Sequence, residues 1–229
     1  MYDPIELAKL TRKLVERDSE RKYYRFRPAR FYGGIATADC VGCNLRCIFC
    51  WAWKIVNDPA SYGKFYDPSI VAKNLLKIAR KKGFSKVRIS GNEPTISKDH
   101  LIKVISETKD SLFILETNGI LIGYEKDFAS ELSFENLHVR VSIKGSSENE
   151  FSKLTGANPK AFEYQIKSLK NLLDNNVSFH PAIMTFENSP SILEKLAEID
   201  EDLPNSLEYE TLIPYPEVIA RLKSAGIKI

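Results

Sequence analysis

The sequence is short of several features that would each have set its class. No apolar run in its 229 residues approaches the roughly 18 that a membrane-spanning helix needs, so no membrane partner is expected. Asp3 and Pro4 lead at once into a charged helical pattern, which does not read as a signal peptide, and a cytoplasmic setting is the expectation. No linker, low-complexity run or shift of composition divides the chain, so residues 1–229 are expected to form a single domain. Hydrophobic content of 43% and charged content of 28% are those of a soluble globular protein. A net charge of +3 neither demands nor excludes nucleic acid. Cysteine is absent almost everywhere: all four lie between Cys40 and Cys50, and no histidine is near them. In a reducing compartment, thiols gathered this way point to metal rather than to disulfides.

What is present is an alternation. Asp3, Pro4 and Glu6 open a helix with Leu7, Leu10 and Leu14 on one face, ending near Ser19. A basic and aromatic stretch follows, from Arg21 to Tyr32, with Arg25, Arg27 and Arg30 in it. It reads either as a docking surface for an anionic partner or as an edge segment packing its aromatics on the domain. From Ile35 onward, strand and helix alternate six times. Strands are expected at Ile35–Ala38, Val87–Ser90, Leu112–Glu116, Leu137–Ile143, Val177–Met184 and Leu207–Ile213. Helices are expected from Asp67, from Ser97, weakly near 123–132, from Glu148, from Pro159, from Pro190 and after Pro216. This order predicts an α/β fold with a parallel sheet and right-handed crossovers. Six units are too few for a closed eight-stranded barrel, which leaves an incomplete barrel or an open doubly wound sheet. The polar, glycine-bearing stretches all follow strands, at the carboxyl ends where ligands bind in both architectures.

Cys43, Cys47 and Cys50 are separated by three and then two residues, close enough to converge on one compact centre. Iron–sulfur clusters are held by thiolates at such short spacings. A four-iron cluster with three protein ligands keeps one iron open, as a catalytic metal requires. Zinc is the competing reading, but its two knuckles are usually separated by a dozen or more residues. Here Cys40–Cys43 and Cys47–Cys50 stand too close to make that comfortable.

The Cys43-x3-Cys47-x2-Cys50 pattern, with Phe49 before the last cysteine, resembles the signature of the radical S-adenosylmethionine (SAM) superfamily. Ser90-Gly91-Asn92-Glu93-Pro94 resembles its Gly-Gly-Glu-Pro motif, with Asn92 in place of a glycine. Glu116-Thr117-Asn118-Gly119, Ser142-Ile143-Lys144-Gly145 and Leu212-Ile213-Pro214-Tyr215 are similar to later strand ends of the pyruvate formate-lyase activating enzyme group. The resemblance covers about 34–215, leaving residues 1–33 as an extension. It implies an incomplete (βα)6 partial TIM barrel, with parallel strands and an added N-terminal helix. It implies a 4Fe-4S cluster on Cys43, Cys47 and Cys50, and SAM bound beside it. A low-potential donor such as ferredoxin or flavodoxin would reduce the cluster, SAM would be cleaved reductively, and hydrogen would be abstracted from a substrate.

Carried over residue by residue, the resemblance places Gly91, Asn92 and Glu93 at the methionine part of SAM. Ser142 and Lys144 would reach toward ribose and carboxylate, Asn118 and Glu116 would lie at the same face, and Phe49 and Tyr215 would flank the adenine. Glu93 could instead support its own loop. Ser142 stands where the activating enzymes usually have Asp, which puts in question any monovalent cation beside SAM. Cys40 is extra and is expected not to ligate, and His180 reads as a hydrogen-bonded strand residue. The expected function is that of an enzyme acting on a protein, peptide or RNA, in the manner of an activating enzyme. The alternative is a small metabolite in cofactor biosynthesis, and an iron–sulfur electron carrier or redox sensor is the reading from another class.

Overall fold

The computed structural model describes residues 1–187 and 190–228. In chain order its elements are α1 (Pro4–Val15), β1 (Glu16–Arg17), β2 (Glu20–Ala29), β3 (Ile35–Cys40), α2 (Trp53–Asn57), β4 (Lys64–Tyr66) and α3 (Pro68–Lys82). Then come β5 (Lys86–Ser90), α4 (Lys98–Glu107), β6 (Leu112–Thr117), α5 (Ile120–Tyr124), β7 (Leu137–Lys144), α6 (Glu148–Thr155) and α7 (Phe162–Asp174). The chain closes with β8 (Phe179–Met184), α8 (Ser191–Ala197), β9 (Glu208–Tyr209) and α9 (Pro216–Ser224). One sheet runs β1-β2-β3-β5-β6-β7-β8-β9, with β4 beside β2. From β3 to β9 every pairing is parallel, and β2 is antiparallel to β3. The six parallel strands curve without closing, an open α/β sheet with an added N-terminal helix.

Strand side chains alternate between faces, so each strand carries two patterns. One face carries Ala36, Ala38, Val87, Ile89, Phe113, Leu115, Val139, Val141 and Ile143, all in the main buried core under the helices. The other carries Asp39, Arg88, Ser90, Glu116, Arg140, Ser142, Lys144, Glu208 and Glu210. Apart from Asp39, all of these line one cavity. Ala29, Ile35 and Ile114, with Tyr32 against them, form a small separate apolar cluster.

Local chemistry sets the ends of the elements. Asp3 accepts from the Ile5 amide at the start of α1, and Asp67 from Ser69 at the start of α3, each followed by proline. Ser97 precedes α4, but its side chain makes no capping bond.

Three expectations need correction. The buried face of α1 is Ile5, Ala8, Thr11 and Val15, whereas Leu10 and Leu14 are 58% and 45% exposed. Small residues win that face because α1 lies close against the cysteine loop, with Thr11 and Val15 against Gly42. The last strand is Glu208–Tyr209 alone, not 207–213. The helix after β6 starts at Ile120, directly behind Asn118-Gly119, rather than near 123. The Arg21–Tyr32 stretch is mostly strand β2, paired with β3 and with β1 and β4, and Tyr23 and Phe26 stack 5.8 Å apart. Among the described residues no helix is long and apolar enough to cross a membrane.

Two packing sites are testable. A Cβ on Gly123 would stand 1.8 Å from the Tyr164 carbonyl oxygen, so α5 and α7 touch backbone to backbone. Gly123→Ala is expected to lower unfolding free energy by about 2–3 kcal/mol or more, read by urea unfolding. His100 on α4 faces the Ser19 carbonyl through Nδ1 at 2.8 Å and the Tyr23 hydroxyl through Nε2 at 2.9 Å. A carbonyl only accepts, so Nδ1 carries the proton and the ring is neutral. Burial lowers its pKa from 6.5 to about 4. Its contribution is therefore fully present above pH 6.5 and is lost as pH falls toward 4. Between pH 7 and 4.5 the wild type should lose about 2–3 kcal/mol more stability than His100→Gln. Equal losses would refute this account of His100.

Candidate active site

The cysteine loop leaves β3 at the carboxyl end of the sheet. It is pinned from several directions. Gly42 donates its amide to Asn92 Oδ1 at 2.8 Å and accepts from the Glu93 amide at 3.0 Å. Arg46 N donates to the Tyr2 hydroxyl, Ile48 N to the Leu154 carbonyl, and Arg221 to the Ile48 and Cys50 carbonyls. This brings Cys43, Cys47 and Cys50 to one cavity of about 970 Å³. Cys40 does not line that cavity. It follows inward Asp39 on the strand, so it points to the helix-covered face, where Arg21 Nη2 lies 3.4 Å from its sulfur. All four cysteines are free thiols.

The thiols at the cavity are held protonated. Burial pushes Cys47 up to about 12, with Lys144 opposing it, and raises Cys43 and Cys50 as well. Ligation must therefore displace protons, and a metal centre supplies the charge to do so. Among the described residues no three His, Cys, Asp or Glu side chains close on a single metal ion.

Two buried side-chain donors near the cysteine loop lack partners among the described residues. One of them, on Asn92, belongs to a residue that lines the cavity and fits a larger group with acceptor atoms. Asn44 is 0% exposed, and its Oδ1 accepts from Asn118 Nδ2 at 2.8 Å, yet its Nδ2 has no partner among the described residues. Asn92 Nδ2 is likewise without one. Iron–sulfur clusters are tuned by hydrogen bonds to their sulfurs. Gly91 lets its loop close on β3. Its φ is +94°, and a Cβ there would meet Asp39 at 3.0 Å and the Cys40 carbonyl at 3.2 Å.

The other expected residues all line the cavity: Phe49, Gly91, Asn92, Glu93, Asn118, Ser142, Lys144 and Tyr215. Their engagement differs. Glu93 is 2% exposed, and its Oε1 accepts from the Thr95 amide, the Thr95 hydroxyl and the Thr117 hydroxyl, while Oε2 accepts from the Asn118 amide. Asn118 is also engaged through its side chain, to Asn44 and to the Ile120 amide. Glu93 and Asn118 thus act as struts between loops. Ser142 and Lys144 are tied to each other and to Glu210. The Lys144 ammonium lies 5.6 Å from the Phe49 ring centre, and Tyr215 stands half-exposed at the cavity.

Arg88, Arg140, Glu208 and Glu210 also line the cavity, and the sequence reading missed them. Glu210 contacts Ser142, Lys144 and Arg140. Burial works to raise its carboxyl, but Lys144 and Arg140 hold it below its ordinary value. Glu208 pairs with Arg140, whose hydrogen bonds bring it down to about 2. Arg88 meets Glu116 at 2.6 Å, and Arg25 and Arg27 both meet Asp39 at 2.7 Å. His180 lies 2.7 Å from His138 and 3.2 Å from Glu208, a hydrogen-bonded strand residue as expected. The available signal was polar residues at alternate strand positions, as in Arg88-x-Ser90 and Glu208-x-Glu210.

Comparison with known proteins agrees with this geometry. A model of the Radical SAM superfamily matches residues 39–198. The probable GTP 3',8-cyclase of Saccharolobus solfataricus is 32% identical over 136 residues, covering 58% of this chain and 41% of that relative. The chain therefore spans less than half of that relative's length. Streptococcus suis SuiB bound to S-adenosylmethionine superposes with a TM-score of 0.55 at 18% identity, covering 83% of this chain and 42% of that one. The AdoMet-bound protein anSMEcpe gives 0.57 at 19% identity, covering 75% and 49%. At such identity these two likenesses are of fold. With the family model spanning most of the sheet and the cysteine loop, the chain belongs to the radical SAM superfamily, whose members use a 4Fe-4S cluster and SAM.

Proposed function

We propose that this radical SAM enzyme acts on a small polar metabolite, with Cys43, Cys47 and Cys50 as the cluster ligands. The observation that carries the substrate class is the wall of the cavity. Arg88 with Glu116, Arg140 with Glu208 and Glu210, and Lys144 with Glu210 set charged pairs around a volume of about 970 Å³. Small-molecule sites have cavities of roughly 300–1,000 Å³ with a few placed polar groups. A protein loop presenting a glycine would offer those charges little to pair with, at a desolvation cost. The relatives named probable GTP 3',8-cyclase carry a small nucleotide in their name, which favours a metabolite over the activating-enzyme reading. The basic segment that suggested macromolecular docking has Arg21 buried and Arg25 and Arg27 on Asp39.

When bound, the cluster and SAM supply one-electron reductive cleavage of SAM and hydrogen-atom abstraction. The chain's own residues do the rest. The three thiolates would hold the cluster, and the side-chain amide of Asn92 would donate to it or to SAM. Gly91 admits the methionine part, and Lys144 offers a cation to its carboxylate. Ser142 and Glu210 suit hydroxyl groups, and Phe49 and Tyr215 offer flat faces to adenine. Glu93 and Asn118 fix the loops. Leu45, Val56 and Met184 keep that part of the cavity apolar. A low-potential donor such as ferredoxin or flavodoxin, in a reducing cytoplasm, belongs to the same proposal.

After anaerobic reconstitution, Cys43→Ala, Cys47→Ala and Cys50→Ala should lose bound iron and release no 5′-deoxyadenosine above background. Cys40→Ala should keep its iron. Full iron in Cys47→Ala, or loss of iron in Cys40→Ala, would overturn the ligand set. For the substrate class, candidate nucleotides and other small metabolites are added alongside peptides and RNA. Faster 5′-deoxyadenosine release with metabolites supports the proposal, and acceleration by a macromolecule alone refutes it. Glu93→Gln should keep its iron but bind SAM more weakly and lose about 1–3 kcal/mol of stability, because an NH₂ replaces one accepting oxygen. Unchanged SAM affinity, measured by equilibrium dialysis, would remove Glu93 from this role.

A further inference from the structure

Strand β2 lies outside the residues that match the family, yet it builds one wall of the cavity. Its pairing with β3 shifts register between Tyr23 and Arg25. Such a bulge re-aims a side chain. Here it leaves Tyr23 opposite Cys40, packed in the core, and brings Arg25 opposite Asp39. Arg27, two residues on, shares that face.

The charges on this wall do not balance as they do elsewhere. Arg88 has Glu116, and Arg140 has Glu208 and Glu210. Asp39 alone serves two guanidinium groups. It is 0% exposed. Arg27 takes both its oxygens, Nε on Oδ2 at 2.7 Å and Nη2 on Oδ1 at 3.2 Å. That pair is complete by itself, since two parallel N–H···O bonds satisfy a carboxylate. Arg25 adds Nε on Oδ2 at 2.7 Å, its guanidinium carbon lies 5.5 Å from the Tyr24 ring centre, and its side chain keeps 45% exposure beside the cavity. A structural ion pair needs one arginine. The second is a cation beyond what Asp39 needs, oriented by its Nε and by the Tyr24 ring and still 45% exposed.

Resting on the small-metabolite reading, we infer that Arg25, held in place by Asp39 and Arg27, binds an oxyanion of the substrate, a phosphate or a carboxylate. Substrate selection then lies in part on a strand that the family match does not include, apart from the cofactor loops.

The test uses the full chain carrying its cluster, titrated anaerobically with inorganic pyrophosphate and, separately, with malonate. At least one should bind, more weakly as salt is raised, and which one binds identifies the anion. Arg25→Gln should weaken binding roughly tenfold or more, the loss of one charge-assisted contact. Arg25→Lys keeps the charge without the planar fork and should restore only part of it. Because Arg27 still closes on Asp39, both variants should keep iron content and unfolding temperature. Equal affinity in Arg25→Gln and wild type, or no binding of either anion by the cluster-loaded wild type, overturns the inference. Release of 5′-deoxyadenosine is followed in parallel. Its absence in the wild type defeats the enzyme reading instead, so the two failures are distinguishable.

Discussion

The site depends on one buried carboxylate. Glu93 has no solvent to satisfy it, so it must find its partners within the protein. It finds them on two successive loops, at Thr95 and at Thr117 and Asn118. Its own backbone extends the link. The amide donates to Gly42 of the cysteine loop, and the carbonyl accepts from Arg21 Nη2 at 2.7 Å. Asn118 completes the triangle through Asn44. Three loops that leave three different strands are thereby fixed to one another. A group shared between the cysteine loop and the Gly91 loop needs that fixity, because small displacements of either would separate its contacts.

The rest of the cavity obeys the same requirement. Charges on the inward face lie within a partly enclosed space, where an unpaired ion is costly. The protein answers with pairs that reach between strands: Arg88 to Glu116, Arg140 to Glu208 and Glu210, Lys144 to Glu210. Ala182 helps. It lies between Ser142 and Glu208 in register, and its small side chain leaves room above β8 for Glu210 to contact Ser142. A carboxylate therefore reaches Ser142 from Glu210, directly after the sixth parallel strand.

How much of this was legible follows from what kind of information each part uses. The cysteine spacing, the Gly91 loop and the strand–helix alternation are local, and the sequence displayed them. So were the caps at Asp3 and Asp67, which need only neighbouring backbone. The polar partners of the cavity were not legible, because Glu210 becomes a neighbour of Ser142 only when the sheet curves. The α1 face failed for a related reason. Leu7, Leu10 and Leu14 give the better apolar stripe, but close approach to Gly42 of the cysteine loop puts Thr11 and Val15 on the buried face instead. Glu93 was read as either cofactor contact or loop support, and only its partners on Thr117 and Asn118 favour the second.

Cys40 shows how alternation divides labour within one stretch. It is one residue from Asp39 and three from Cys43, yet it does not line the cavity. Asp39 faces inward and gathers Arg25 and Arg27, so Cys40 must face outward into the core. There burial raises its thiol, while Arg21 and the Asn92 amide work against that rise. Arg21 also donates to the Pro94 and Glu93 carbonyls. The outward side of this strand end therefore braces the Glu93 loop, and the inward side holds Arg25 and Arg27 at the cavity. Successive residues of one strand do both because their side chains cannot share a face.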